Sequence, residues 1–135
     1  MNILITGCNG FIGSHLLEKL NTEESYHVTG ISRDKNFKSK KYSVLYTDKL
    51  ESIDNKILKD FDVLIHTAGK AHDLKNKKKY DEYLYDNAYI TEVLAKKAAL
   101  SGVKKFIFLS STKVFGESSS DSYIFDKDSP TLATD

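Results

Sequence analysis

The sequence predicts an α/β fold, a parallel sheet in strand order 3-2-1-4-5 with helices on both faces. Three observations carry this reading. Strand-like runs alternate with segments of helical spacing along the 135 residues. The runs are short, apolar and rich in Ile, Val and Leu, as strands buried on both faces are. The first of them, Ile3-Leu4-Ile5, leads into glycines at 7, 10 and 13.

In chain order, Ile3 to Ile5 form the first strand. Gly7 lets the chain turn without steric cost, Gly10 lets the backbone lie close to a ligand, and Gly13 keeps no side chain between helix and sheet. The next segment has apolar residues at 11, 12, 16, 17 and 20, one face of a helix. A helix starting there aims its free N–H groups and positive dipole end at the glycine turn, which suits a pyrophosphate. The first glycine gap is one residue longer than in the common dinucleotide fingerprint, but the strand before it and the helix after it supply the confirming context.

His27 to Ser32 read as the second strand and Val44 to Tyr46 as a short third. Ile53, Ile57 and Leu58 suit a short helix before a fourth strand over 62–66. The longest helical pattern covers 80–101, with Tyr83, Leu84, Asn87, Ile90, Val93, Leu94 and Ala98 on one face and Gly102 as its stop. Residues 105–109 form the fifth strand, and 110–135 hold no clear helix or strand. Right-handed crossovers then give half of a doubly wound fold. There are no internal repeats, and Ser118 to Ser122 read as a polar loop. Residues 1–135 are expected to form one domain.

Hydrophobic residues make up 40% and charged residues 29%, as in a soluble globular protein. A net charge of +1 gives no reason to expect nucleic acid or membrane binding. Lysine runs at 38–41 and 75–79 read as solvated loops. No stretch approaches the roughly 20 apolar residues of a membrane span, and no basic segment precedes the first apolar run, so cytoplasm is the expected location. The lone cysteine, Cys8, excludes an intrachain disulfide. Its place at a helix start could favour a thiolate, although a small residue filling a turn is the simpler reading. His66 and His72 lack a spaced set of partners, so no metal site is expected.

Thr6-Gly7-x-x-Gly10-Phe11-Ile12-Gly13 resembles the extended short-chain dehydrogenase/reductase family, specifically its nucleotide-sugar epimerases, dehydratases and reductases. Three further segments are similar to that family in order and spacing. Val63-Leu64-Ile65-His66-Thr67-Ala68-Gly69 resembles its fourth strand and the turn beside the cofactor. Asn87-Ala88-Tyr89-Ile90-Thr91 resembles its Asn-Val-x-Gly-Thr helix, with Ile90 in place of the small glycine. Phe106 to Glu117 resembles its fifth strand and Ser-Ser-x-x-Val-Tyr-Gly-Glu loop. The resemblance covers nearly the whole chain and implies a Rossmann-type sheet.

It also implies a site. Gly7, Asn9, Gly10, Phe11, Ile12 and Gly13 would hold the pyrophosphate of NAD or NADP. Ser32 stands where the ribose-binding acid is expected, followed by Arg33, whose guanidinium can pair with a 2′-phosphate. That leans the reading to NADP; with Asp34 as the ribose acid it would be NAD. Asp48 resembles the acid that meets the adenine amino group, and Lys49 would add a backbone contact. Thr67, Ala68 and Gly69 would let the cofactor pass over the sheet edge, beside Asn87 and Ser110. Ser111 aligns with the catalytic hydroxyl, with Thr112 as runner-up if the register slips by one.

The family's catalytic Tyr-x-x-x-Lys pair has no counterpart at its expected place. The one match, Tyr123 to Lys127, falls earlier, in the polar loop without a helical pattern. The chain is therefore expected to be the N-terminal portion of a longer enzyme, truncated after the fifth strand and inactive alone. Its partner would be a nucleotide sugar altered at a C4 hydroxyl or keto group, in surface-polysaccharide synthesis. Its fifth strand, left at the sheet edge, is expected to promote self-association. The alternative is a stand-alone NAD(P)-binding redox-sensing module.

Overall fold

The computed structural model describes residues 1–70, 80–116 and 125–131. The expectations for His72, for lysines 75–79 and for Glu117 to Tyr123 fall outside the described residues. Among the described residues five strands form one sheet: β1 (Asn2–Thr6), β2 (His27–Ser32), β3 (Ser43–Tyr46), β4 (Val63–His66) and β5 (Lys105–Phe108). Their order is β3-β2-β1-β4-β5 and every pairing is parallel, as the sequence predicts.

Alternation along the central strands builds two cores. Ile3 and Ile5 join Val28, Val63, Ile65 and Cys8 on one face, where Leu17 of α1 (Phe11–Leu20) covers them. Leu4 joins Ile31 and Leu64 on the other, under Leu50, Ile53, Leu58, Ile90, Leu94 and Ala98. Leu50 belongs to a 3₁₀ turn (Leu50–Ser52) and Leu58 to α2 (Asn55–Leu58). The Asp54 carboxylate caps α2 by accepting the Lys56 N–H at 2.8 Å.

The long helix differs from expectation in its middle. It runs as α3 (Tyr80–Tyr83), a π-helical turn (Leu84–Tyr89) and α4 (Ile90–Leu100). The wider turn changes the angular position of everything before it. Ile90, Leu94 and Ala98 face the core as predicted, whereas Leu84 is 50% exposed. The helix stops where expected: Gly102 takes φ +80°, and the Val103 N–H reaches back to the Ala98 carbonyl at 3.0 Å.

β5 is the edge strand, with Ile107 and Phe108 each 43% exposed. Beyond it, where no element is expected, Thr112–Phe115 form a 3₁₀ turn. Among the described residues no helix is long and apolar enough to cross a membrane.

Candidate functional site

Because all five strands are parallel, the loops after β1, β2, β4 and β5 leave the sheet at one edge. Several cavities open there, two of which adjoin along one wall. The first, about 420 Å³, is lined by Gly7, Asn9 and Gly10 of the glycine turn, by Ile31, Arg33 and Asp34 after β2, by Leu50, and by Thr67, Ala68 and Gly69 after β4. The second, about 360 Å³, shares Thr67 to Gly69 and adds Ile12, Lys70, Asn87, Phe108, Leu109, Ser110 and Ser111. The shared wall makes them two compartments of one crevice.

The glycine turn is tightly built. Gly7 has φ +71°, and a Cβ there would lie 2.8 Å from the Ala68 nitrogen and the Thr67 hydroxyl. A Cβ at Gly13 would lie 2.2 Å from the Gly7 carbonyl oxygen. Gly13 is thus buried beneath the turn, and does not itself line the crevice. Gly10 caps α1 without a side-chain hydrogen bond, and no acidic residue occupies the first helical turn. The uncapped N–H groups keep a positive end beside the first cavity.

The structure brings most of the predicted site together and leaves some of it outside. Ser32 is 2% exposed, and its hydroxyl oxygen accepts the Asp34 N–H at 3.0 Å. Arg33 and Asp34, one and two residues later, form the wall instead. Burial pushes the Glu51 carboxyl up, but the Tyr85 hydroxyl at 2.6 Å and the charges of Lys49 and Arg33 outweigh it and hold Glu51 below its ordinary value. Arg33 therefore already has an acid within its field. Phe11 is 81% exposed with its ring against His15, and Asp48, Lys49 and Thr112 line neither cavity.

Asn87 reaches the crevice as a clamp. Its Oδ1 accepts the Lys70 N–H at 2.7 Å and its Nδ2 donates to the Lys70 carbonyl at 3.0 Å. Ser111 lines the second cavity, and its Oγ accepts the Lys113 N–H at 3.2 Å, capping the last described 3₁₀ turn. Cys8 is buried and donates to the Ile31 carbonyl at 3.2 Å, and burial pushes its thiol up, which removes the thiolate reading. Among the described residues no group of three or more His, Cys, Asp or Glu is placed to hold a metal ion.

Leu50, Lys70, Phe108 and Leu109 line the crevice without having been read as site residues. Lys70 pairs with Glu82 and lies over the Tyr83 ring, 5.2 Å from its centre. Its position right after Gly69 was the one available signal.

This chain is similar to several known proteins. The UDP-glucose 4-epimerase of Vibrio cholerae is 38% identical over 119 residues, covering 86% of this chain and 36% of that protein. The mouse dTDP-D-glucose 4,6-dehydratase is 30% identical over 147 residues, covering 98% and 41% respectively. A solved UDP-glucuronic acid 4-epimerase from Bacillus cereus, in complex with UDP-glucuronic acid and NAD, superposes with a TM-score of 0.79 at 27% identity, covering 98% of this chain and 46% of that one. The chain spans less than half the length of each of these relatives. The model of the NAD dependent epimerase/dehydratase family matches residues 3–134, and the chain belongs to that family.

Proposed function

We propose that residues 1–135 are the dinucleotide-binding domain of a nucleotide-sugar epimerase, dehydratase or reductase that acts at a sugar C4 hydroxyl or keto group. One observation carries this: a single crevice joins an uncapped helix N-terminus at the glycine turn to the Ser110-Ser111 hydroxyls after β5. The pyrophosphate lies against the Gly7, Asn9, Gly10 turn at the uncapped N-terminal end of α1. The adenosine half lies toward Arg33, Asp34 and Leu50, with Asp48 and Lys49 at its outer end. The nicotinamide half lies over Thr67 to Gly69 toward Ile12. Ser111 then stands where it can hydrogen-bond a sugar oxygen.

The cofactor is NAD or NADP. Arg33 supports NADP, since a guanidinium binds a 2′-phosphate in bidentate fashion. Asp34 in the same wall supports NAD, as its carboxylate accepts from both ribose hydroxyls and repels a phosphate. The relatives' descriptions as 4-epimerases and 4,6-dehydratases of UDP and dTDP sugars support the substrate class. Among these 135 residues the one Tyr-x-x-x-Lys match, Tyr123 to Lys127, has no helical pattern to put both side chains on one face. Proton-transfer help of that kind is typically worth about 10²–10⁴-fold, so these residues alone are expected not to turn over sugar nucleotides.

Calorimetric titration of the chain with NAD, NADP and their reduced forms tests the reading. Binding that is lost in Gly10→Asp, in a chain with an unchanged melt, supports it. No binding of any of the four by folded protein refutes it.

A further inference from the structure

We propose that His66 is a positioning residue for this crevice: a neutral imidazole, bonded between Thr6 and Thr91, that ties the 67–70 wall and the Asn87 turn to the sheet. The proposal rests on the reading above for the nature of the ligand. His66 ends β4 and has no exposed surface. Its Nδ1 is 2.6 Å from Thr6 Oγ1 and its Nε2 is 3.1 Å from Thr91 Oγ1.

The neighbours assign the protons. The Thr91 hydroxyl donates to the Asn87 carbonyl at 2.7 Å, so its oxygen is left to accept from His66 Nε2–H. Nδ1 then carries the lone pair and accepts from the Thr6 hydroxyl. The Thr6 oxygen in turn accepts the Ala68 N–H at 3.3 Å. The bonds run in one direction, from Ala68 through Thr6, His66 and Thr91 to Asn87, with no buried donor left over.

Both ends of that chain are fastened to the crevice wall. Asn87 holds the Lys70 backbone at its N–H and its carbonyl, and the Thr67 hydroxyl donates to the Thr6 carbonyl at 2.6 Å. Thr67 and Ala68 fill the space where a Gly7 side chain would be, so a movement of the wall presses on the glycine turn. The π turn that carries Asn87 is a rarely used helical geometry, found often at functional sites. The Thr91 hydroxyl, the Asn87 clamp and the Tyr85 hydroxyl bonded to Glu51 secure it.

Among the described residues, the groups bonded to or packed against the imidazole are Thr6 from β1, Thr91 from α4, and the Phe106 and Phe108 rings from β5, at 6.2 and 5.7 Å, and none of these is charged. A second ring proton would therefore be buried without a counter-ion, and the Thr6 hydroxyl proton would lose its acceptor.

Long-range ¹⁵N–¹H NMR of the imidazole in the full chain tests the assignment, with amide exchange and NAD titration as companion readouts. The expected spectrum shows the Nε2–H tautomer at neutral pH. Thr91→Val preserves shape and removes the acceptor; exchange at the Lys70 amide should rise about three- to tenfold, the effect of one net hydrogen bond, while Leu17 exchanges as before. NAD affinity should weaken by a similar factor. His66→Gln keeps a donor toward Thr91 and should protect Lys70 better than His66→Leu, an advantage that packing alone would not produce. An Nδ1–H or charged ring at neutral pH, or equal Lys70 exchange in wild type and Thr91→Val, overturns the proposal. If tautomer and exchange come out as expected and no dinucleotide binds, the ligand reading falls and the positioning chain stands.

Discussion

Acid should unfold this protein partly through His66, and the size of the effect can be worked out from its burial. Desolvation lowers the His66 pKa from 6.5 to about 4. The unfolded chain thus takes up the proton first, and between those values it binds more protons than the native state. Stability falls as pH falls through this window, is whole above about pH 6.5, and has lost its full share below about pH 4. The gap, 6.5 minus about 4, is about 2.5 units; at 1.36 kcal/mol per unit the share is about 3 kcal/mol. His66→Gln has no such proton. At neutral pH it should be less stable than wild type by about 1 kcal/mol, the worth of one hydrogen bond. Near pH 4 it should be more stable by about 2 kcal/mol, so the two curves cross. Urea unfolding at a series of pH values measures this. Taking the difference between the two proteins removes the carboxylates, such as Asp62 and Glu92, whose lowered pKa values bring an acid loss of their own at lower pH. A difference that stays flat from pH 7 to 4, or one that grows in favour of wild type, refutes the reasoning.

Gly13→Ala should lower stability by about 3 kcal/mol or more, because its Cβ meets the Gly7 carbonyl at 2.2 Å; Gly10→Ala, whose nearest contact is that oxygen at 3.2 Å, should cost much less in a thermal melt. Equal losses would reject the packing argument. Cys8 should react with iodoacetamide at least about a hundredfold more slowly in native buffer than in urea, since the thiol is buried and its pKa raised; equal rates would mean that the turn opens freely. The exposed β5 edge should make the chain associate with rising concentration in sedimentation runs, and Ile107→Lys should weaken this. A wild-type chain that stays monomeric at every concentration rejects it.

The strands, their order and the glycine turn were legible in the amino-acid sequence because each rests on local chemistry. Alternating apolar residues such as Ile3, Leu4 and Ile5 commit a strand to two cores, the handedness of crossovers then orders the strands, and Gly7 is demanded by the backbone itself. Of the residues that line the crevice by virtue of that turn, Gly7 and Gly10 were readable for the same reason, while Asn9 followed from the family resemblance. Tertiary structure alone decided the rest. Ser32 and Arg33 are neighbours in the chain, and which one faces the cavity depends on how the loop leaves β2, with Ser32 turned inward to hold the Asp34 N–H. The π turn was hidden because apolar spacing near 3.6 is compatible with either helix when one turn differs. His66 read as a strand-end residue because its partners, Thr6 and Thr91, stand 60 and 25 residues away. The β1–β4 register sets Thr6 beside it, and the packing of α4 on the sheet supplies Thr91. Periodicity reports what each segment must bury; only the assembled sheet determines which polar groups meet inside it, and a buried polar group is tolerable only where such a partner waits.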